Sequence, residues 1–280
     1  MHYKFGLIAK DIHNSVTPTV YKTFGRDLGM DIDFEIFNVP QEQLMSTVTT
    51  ARNGLDGFNV TMPYKVKMMD LVDELDESAV RCGSTNVVAV MPGRKLKAYN
   101  TDGWGLVKAL ALQGCSFNGR KVVMVGAGGV ALSIAYNLSI NGVTDVEVLN
   151  KFPVETERLC GRFGPLFHGH GLDAAELKKA ATDADFFINA SVLGQVGYDD
   201  YTDLSFLDSL KHDAVVFDCN YSKPNAALPA AARAKGLRTF VGRMMSTCQG
   251  IRAMEIWTGR TPSDDSARRL IDKENQGGNR

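Results

Sequence analysis

The chain reads as an α/β protein of two domains, and three observations predict it. Strand-like and helix-like segments alternate from the third residue onward, which argues for a mixed, mostly parallel sheet with helices packed on its faces. The β-branched run from Arg120 to Val125 empties into Gly126-Ala127-Gly128-Gly129-Val130-Ala131 and then into a helical pattern, as the first turn of a doubly wound, Rossmann-type unit does. At 280 residues with 44% hydrophobic and 22% charged content, the chain is long enough for two cores, and two domains imply a cleft.

Charge and cysteine usage narrow the function classes. Lys+Arg 31 against Asp+Glu 32 leaves a net charge of -1 without blocks of like charge, so no electrostatic footprint for nucleic acid or an anionic membrane is present. A small-molecule partner is expected. Met1 to Asn14 carries Lys4, Lys10 and Asp11 and lacks an apolar run of signal-peptide length. The apolar segment from Val122 to Ala135 is broken by glycines and too short to span a bilayer. The five cysteines are scattered without a C-x-x-C pair, which fits a reducing, cytoplasmic setting and argues against disulfides or zinc. His168-Gly169-His170 has no Cys, Asp or Glu at ligand spacing, so no metal is expected there.

Taken in order, residues 3 to 9 form the first strand, and a polar loop follows from Asp11. Thr17 caps a helix with Pro18 at its first position, with Val20, Phe24 and Leu28 at helical spacing and Gly29 near its end. Ser15 and Thr17 then stand at a helix start, where hydroxyls and free N–H groups favour an anion, although capping alone suffices to explain Thr17. Asp31 to Val39 is a second strand and Gln41 to Arg52 a helix. The short strand at Gly57-Phe58-Asn59-Val60 breaks at Thr61-Met62-Pro63-Tyr64-Lys65, and Pro63 is expected to open a helix through Val66, Met69 and Leu71. Lys65 is then either a solvated surface charge or an acid/base group set by the turn.

Asp73 to Cys82 reads as a helix, Val87 to Val90 and Lys95 to Tyr99 as a hairpin turning at Pro92-Gly93, and Asp102 as the N-cap of the next helix. In the glycine loop, Gly126 permits the tight turn, Gly128 lets the backbone approach a pyrophosphate, and Ala131 lets the helix sit close to the strand. With the following strand, Asp145 to Leu149, this completes a βαβ unit for a dinucleotide. Asn150 stands where a ribose-binding acid closes an NAD site, and Lys151 adds a cation, which tilts the choice toward NADP with NAD still open. Phe152 can pack on an adenine, and Glu155 weighs against a phosphate.

Further strands are expected at Asp185 to Ala190, Ala214 to Asp218 and Leu237 to Val241, with helices around Ala174 to Ala181 and Ala226 to Ala234. The loop from Ser191 to Tyr201 either covers a nicotinamide or merely connects. A helix from Met244 to Trp257 buries its apolar side and carries Gln249 as its polar exception. Beyond Pro262 the chain turns polar, ending in a frayed tail at Gly277-Gly278-Asn279-Arg280.

With Ser15-Val16-Thr17-Pro18, Asn59-Val60-Thr61-Met62-Pro63-Tyr64-Lys65, Asn86, Asn100-Thr101-Asp102-Gly103, Gly126-Ala127-Gly128-Gly129, Asn189-Ala190-Ser191, Asp218, Tyr221 and Gly242 through Gln249 in place, the sequence resembles the shikimate dehydrogenase family along nearly its whole length. The resemblance implies a substrate domain over 1–103 and 244–280 and an NAD(P)-binding domain over 104–243. It implies Lys65 and Asp102 as the catalytic pair. Ser15, Thr17, Thr61, Asn86, Tyr221 and Gln249 would surround a ring carboxylate, the first two holding its carboxyl group. Gly126, Ala127, Gly128, Gly129, Val130, Asn150, Lys151, Phe152, Ala190 and Gly242 would hold the cofactor.

The implied reaction is reversible, NADP-dependent hydride transfer between 3-dehydroshikimate and shikimate, by a monomer or homodimer. Three departures from the family pattern bear on it. Relatives acting on quinate often carry threonine at the Thr17 position, so quinate is a further substrate to consider. The frequent Asn-Arg-Thr is Asn150-Lys151-Phe152 here, with Glu155 where a second phosphate-binding arginine may occur. Gly194-Gln195 replaces a frequent Gly-Met and leaves the nicotinamide contact unassigned. The competing readings are an NAD-dependent quinate/shikimate dehydrogenase and a dinucleotide-sensing protein without turnover; retention of Lys65 and Asp102 speaks against the second.

Overall fold

β-branched and aromatic residues in the first hundred positions come in short runs separated by turn signals, and the strands form on them. In this computed structural model, which describes residues 1–12, 15–221 and 226–277, the chain divides into two compact units, Met1–Gly105 with Thr247–Arg280, and Leu106–Ser246.

The first unit is built on β1 (His2–Ala9), α1 (Thr17–Asp27), β2 (Asp31–Asn38), α2 (Leu44–Gly54), β3 (Gly57–Val60), β4 (Glu74–Leu75), α3 (Glu77–Cys82), β5 (Val87–Val90) and β6 (Leu96–Tyr99). Its sheet runs in the order β2-β1-β3-β5-β6-β4. β1 pairs in parallel with β2 and β3, whereas the hairpin β5–β6 joins β3 antiparallel, so the sheet is mixed. Ile8, Phe58, Val60, Met68, Val88 and Leu96 form one buried cluster, each large side chain contributing about 1.5–3 kcal/mol by leaving water.

The second unit takes α4 (Asp102–Leu112) from its second turn, then β7 (Lys121–Val125), α5 (Gly129–Ser139), β8 (Asp145–Asn150), α6 (Pro153–Phe163), β9 (Phe167–Gly171), α7 (Ala174–Ala181), β10 (Phe186–Asn189), β11 (Val215–Asp218), α8 (Ala227–Ala234), β12 (Arg238–Val241) and the start of α9 (Gly242–Thr258). Its sheet order is β12-β11-β10-β7-β8-β9, every pair parallel. That is the doubly wound order, with its switch point between β7 and β10. One apolar cluster includes Leu106, Ile134 and Leu159, and another includes Leu177, Phe206 and Leu228, so both faces of the sheet are covered.

The rest of α9 returns to the first unit, followed by α10 (Asp264–Gly277). Trp257 stacks on Phe5 and its indole N–H donates to the Val88 carbonyl at 2.9 Å. A side chain at Gly57 would collide with that indole, which is why this strand position is glycine.

Several elements differ from the sequence reading. No regular helix starts at Pro63; the chain makes a turn and then a single 3-10 segment, Lys67–Leu71, because Tyr64 is drawn into the core with its hydroxyl bonded to the Val39 carbonyl. The helix expected from Asp73 begins at Glu77, since Asp76 accepts the Ser78 N–H as N-cap and Glu74–Leu75 pair with β6. Val16 rather than Thr17 occupies the N-cap position of α1. α6 and β9 leave little mark in the sequence: only Thr156, Leu159 and Phe163 of α6 are buried, and β9 is Phe-His-Gly-His-Gly, with little strand propensity. α10 hides in a polar stretch because Ala267, Leu270 and Ile271 suffice to seat it. The tail residues 278–280 lie outside the described residues.

Candidate active site

The turn after β3 carries Lys65, and the end of β6 carries Asn100-Thr101-Asp102. Although 37 residues separate them, Lys65 Nζ donates to Asp102 Oδ2 at 2.7 Å. Asp102 is 2% exposed, so its carboxylate is removed from water and depends on these partners. Its other oxygen accepts from Asn86 Nδ2 at 2.8 Å. The same amide donates to Thr101 Oγ1 at 3.0 Å, and Asn86 Oδ1 accepts the Thr101 backbone N–H at 2.8 Å.

One further layer fixes this network. Asn100 Nδ2 donates to the Ser84 carbonyl and hydroxyl at 2.9 and 3.0 Å, while its carbonyl oxygen accepts the Asp102 N–H at 3.1 Å. The Thr85 N–H donates to the Lys65 carbonyl at 2.9 Å, tying the lysine turn to the strand leading into Asn86. Asp102 is therefore not the N-cap expected of it. The Thr101 carbonyl accepts the Gly105 N–H, so Asp102 is the first helical residue and its carboxylate faces Lys65 and Asn86. A positioned ammonium with a carboxylate behind it can give a proton to a carbonyl oxygen or take one from a hydroxyl.

Ser15 and Thr17 form a separate pair: Ser15 Oγ donates to Thr17 Oγ1 at 2.8 Å and accepts the Thr17 N–H at 3.2 Å. Both are half-buried at the start of α1. Thr61 is half-buried on the turn leading to Lys65, its N–H bonded to the Ile8 carbonyl. Gln249 is half-buried on α9, whose next residue, Gly250, packs against Val20 and Phe24 of α1.

In the second unit the glycine loop leaves the end of β7 at the switch point. Gly126 has φ +114, and a side chain there would lie 2.6 Å from the Ala190 carbonyl oxygen and 2.9 Å from the Ser191 nitrogen. The two strand ends thus close on each other through bare backbone. Nothing lies within 4 Å of the space a side chain at Gly128 or Gly129 would occupy. Gly128 is the N-cap of α5, with Ala127 and Val130 half-buried around it, and no side chain caps the first-turn N–H groups. This fits a pyrophosphate, which needs close backbone approach and N–H donors.

Asn150 ends β8, and its Nδ2 donates to Glu155 Oε2 at 2.5 Å and to the Phe152 carbonyl at 3.4 Å. Lys151 is exposed and so is Phe152, at 56%. Gly242 opens α9, where any side chain would strike the Cys219 carbonyl and come within 3.1 Å of the Tyr221 ring. Tyr221 is exposed, with the Arg243 guanidinium 5.7 Å from its ring centre.

The loop after β10 is held by amides. Asn189 Nδ2 donates to Asp218 Oδ1 and to the Leu193 carbonyl, both at 2.9 Å, and Asn220 Nδ2 donates to the Ser191 and Leu193 carbonyls at 3.0 Å. Burial pushes the Asp218 carboxyl up to about 6, against the pull of these hydrogen bonds. Thr101, Asn59 and Asn220 were absent from the sequence-derived site residues, though Asn59 and Thr101 stood inside its motifs; Asn59 Nδ2 donates to the Asn86 carbonyl at 3.3 Å. His168 and His170 meet carboxylates on neighbouring elements: His168 faces Asp145, and His170 lies between Glu147 and Glu176. Among the described residues no helix is long and apolar enough to cross a membrane.

Comparison with known proteins adds the following. Residues 7–88 match the family model described as the shikimate dehydrogenase substrate binding domain. A shikimate dehydrogenase (NADP(+)) of Alkaliphilus metalliredigens is 33% identical over 272 residues, covering 95% of each chain. One from Methanopyrus kandleri is 33% identical over 91% of this chain and 89% of its own. The crystal structure of shikimate 5-dehydrogenase from Listeria monocytogenes in complex with shikimate and NAD superposes with a TM-score of 0.86 at 28% identity, covering 96% of both chains. That from Thermus thermophilus in complex with NADP(H) and shikimate gives 0.81 at 26% identity over 95% of this chain and 99% of the other.

Proposed function

The chain belongs to the shikimate dehydrogenase family, and we propose that it catalyses the reversible, NADP-dependent reduction of 3-dehydroshikimate to shikimate. The observation that carries the chemistry is the 2.7 Å contact between Lys65 Nζ and Asp102 Oδ2, set in a buried amide network. The bound reduced nicotinamide supplies the hydride; the chain supplies the proton and the geometry.

Reduction of a ring ketone places negative charge on its oxygen. Lys65 donates a proton to that oxygen as the charge develops, and Asp102 holds the ammonium in position while Asn86 holds Asp102. In the reverse direction Lys65 takes the hydroxyl proton. Ser15 and Thr17 bind the substrate carboxylate with their hydroxyls. Thr61, Asn86 and Gln249 complete the substrate shell. Gly126, Ala127, Gly128, Gly129 and Val130 hold the pyrophosphate, Asn150, Lys151 and Phe152 the adenosine end, and Ala190 and Gly242 the nicotinamide end. On this reading residues 1–103 and 244–280 serve the substrate and 104–243 the cofactor, in a reducing cytoplasm where the five cysteines stay thiols.

Initial rates with shikimate and with quinate, each paired with NADP and with NAD, test the proposal. Turnover is expected to be fastest with shikimate and NADP. Absence of turnover with both ring acids, despite dinucleotide binding, would refute it.

A further inference from the structure

A groove of about 410 Å³ lies between α1 and α10, both of the first unit, among residues given no role above. Val16, Thr19, Val20 and Thr23 recur at i, i+3, i+4 and i+7, so they share one face of α1, and Leu270 of α10 lines the groove with them. The volume is that of a small-molecule site, and the walls are apolar apart from two threonine hydroxyls. Arg26 and Arg269 complete the lining, one from each helix. Both stand at the end of α1 away from Val16: Arg26 is in its last turn, and Arg269 Nη2 lies 4.0 Å from Oδ1 of Asp27, its final residue.

Among the described residues neither guanidinium has a carboxylate at hydrogen-bond distance. Arg26 Nε and Nη2 reach the Lys22 carbonyl and the Thr23 hydroxyl at 3.4 and 3.3 Å. The Asp27 carboxylate is engaged by Ser263 instead, accepting its N–H at 2.7 Å and its hydroxyl at 3.0 Å. Two guanidinium groups at one end of an apolar groove complement a ligand with an apolar body and a single terminal carboxylate, which arginine takes in a planar, two-pronged contact. We propose that the groove between α1 and α10 is a second ligand site, for an apolar monocarboxylate about one ring in size, and that its occupant alters substrate binding through Val16. Val16 stands between Ser15 and Thr17, whose hydroxyls are paired at 2.8 Å, so a ligand packed on Val16 bears on that pair. This link rests on the proposed dehydrogenase reading; the site itself does not. Arg26 lies about 15 Å along the helix from Val16, which keeps the two carboxylate-binding ends apart.

Isothermal titration of the full chain with 3-phenylpropanoate and with its uncharged amide reads the site without turnover. The acid is expected to bind at least about tenfold more tightly than the amide, and Arg26→Gln or Arg269→Gln to weaken the acid at least about tenfold. Both variants should keep the shikimate KM within about twofold of the parent. Saturating acid is expected to change the parent's shikimate KM at least about threefold at constant kcat, and to leave that of Arg26→Gln as it was. Equal competition with shikimate in parent and Arg26→Gln would place the acid on Ser15 and Thr17 and overturn the proposal. So would acid that fails to bind while either arginine variant changes the sedimenting mass, since a second copy of the chain then covers the groove. Binding that leaves the KM unmoved would overturn the link through Val16. A parent that turns over no shikimate would refute the dehydrogenase reading, with the calorimetry still deciding the site.

Discussion

On the proposed reading, the two units use opposite parts of the polypeptide for chemistry. In the first, side chains carry it: Lys65, Asp102 and Asn86 meet through hydrogen bonds in a place shielded from water. In the second, backbone carries it: Gly126 closes on Ala190 and Ser191, and the start of α5 offers bare N–H groups. The first arrangement is sensitive to which atoms a side chain presents, and the second to whether a side chain exists at all.

The largest effect that sharpens this contrast is expected from Lys65→Ala. Removing the proton donor should lower kcat by about 10²–10⁴-fold, with dinucleotide affinity held within about twofold. Steady-state kinetics beside calorimetry checks it; loss of both quantities in step would mean that Lys65 acts through folding.

Next in size is Asn86→Ala, which strips Asp102 of one donor and the Thr101 N–H of its acceptor inside the protein. Each buried group left unpaired costs about 1–3 kcal/mol, so thermal unfolding should shift down by several degrees along with lost turnover. An unchanged melting temperature would show that water enters and replaces the amide.

Gly126→Ala addresses the backbone side of the comparison. Its φ of +114 and the Ala190 carbonyl leave no room for a side chain, so strain of about 1–3 kcal/mol and at least tenfold weaker dinucleotide binding are expected. Shikimate affinity in the absence of cofactor should stay where it was, because the other unit is untouched. Equal weakening of both ligands would contradict the division of labour.

The last effect, absent at low pH and growing as pH rises, concerns Asp218. Its carboxyl is raised from 3.8 to about 6, so the folded state holds the proton more tightly than the unfolded chain does. The sign follows: the penalty for the charged form is absent below the unfolded value, grows as pH rises toward the folded one, and is complete above it, reaching at most about 3 kcal/mol. Asp218→Asn keeps an acceptor for Asn189 and cannot ionise. Its melting temperature relative to the parent should therefore rise between about pH 4 and pH 7. A constant difference over that range would place the titration elsewhere.

The same contrast explains what the sequence disclosed. Gly126 through Ala131 after a β-branched strand is legible because a backbone role leaves its mark in consecutive positions, and the parallel order of the second sheet follows from the alternation around it. The contact between Lys65 and Asp102 is not legible from spacing, since it depends on β3, β5 and β6 lying side by side in the first sheet. Family resemblance points to those residues; local pattern offers Asp102 as a helix cap and leaves Lys65 either a surface charge or an acid/base group. α6, β9 and α10 escaped notice for a different reason, since each buries few apolar residues and periodicity has little to register. Asn220 and Asp218 escaped a role because their function is to hold a neighbouring loop, and nothing in the order of residues says which loop that is.

The central claim is that Lys65 and Asp102 act as one device. Single-turnover oxidation of shikimate from preformed ternary complexes, followed by the absorbance of the reduced nicotinamide, tests it in Lys65→Ala, Asp102→Asn and the double variant. Groups that act as a unit lose their effect together, so the double variant should be no slower than the slower single one. Losses that multiply, each variant adding its own factor, would mean that the two side chains act independently and that the pairing seen here is incidental to the chemistry.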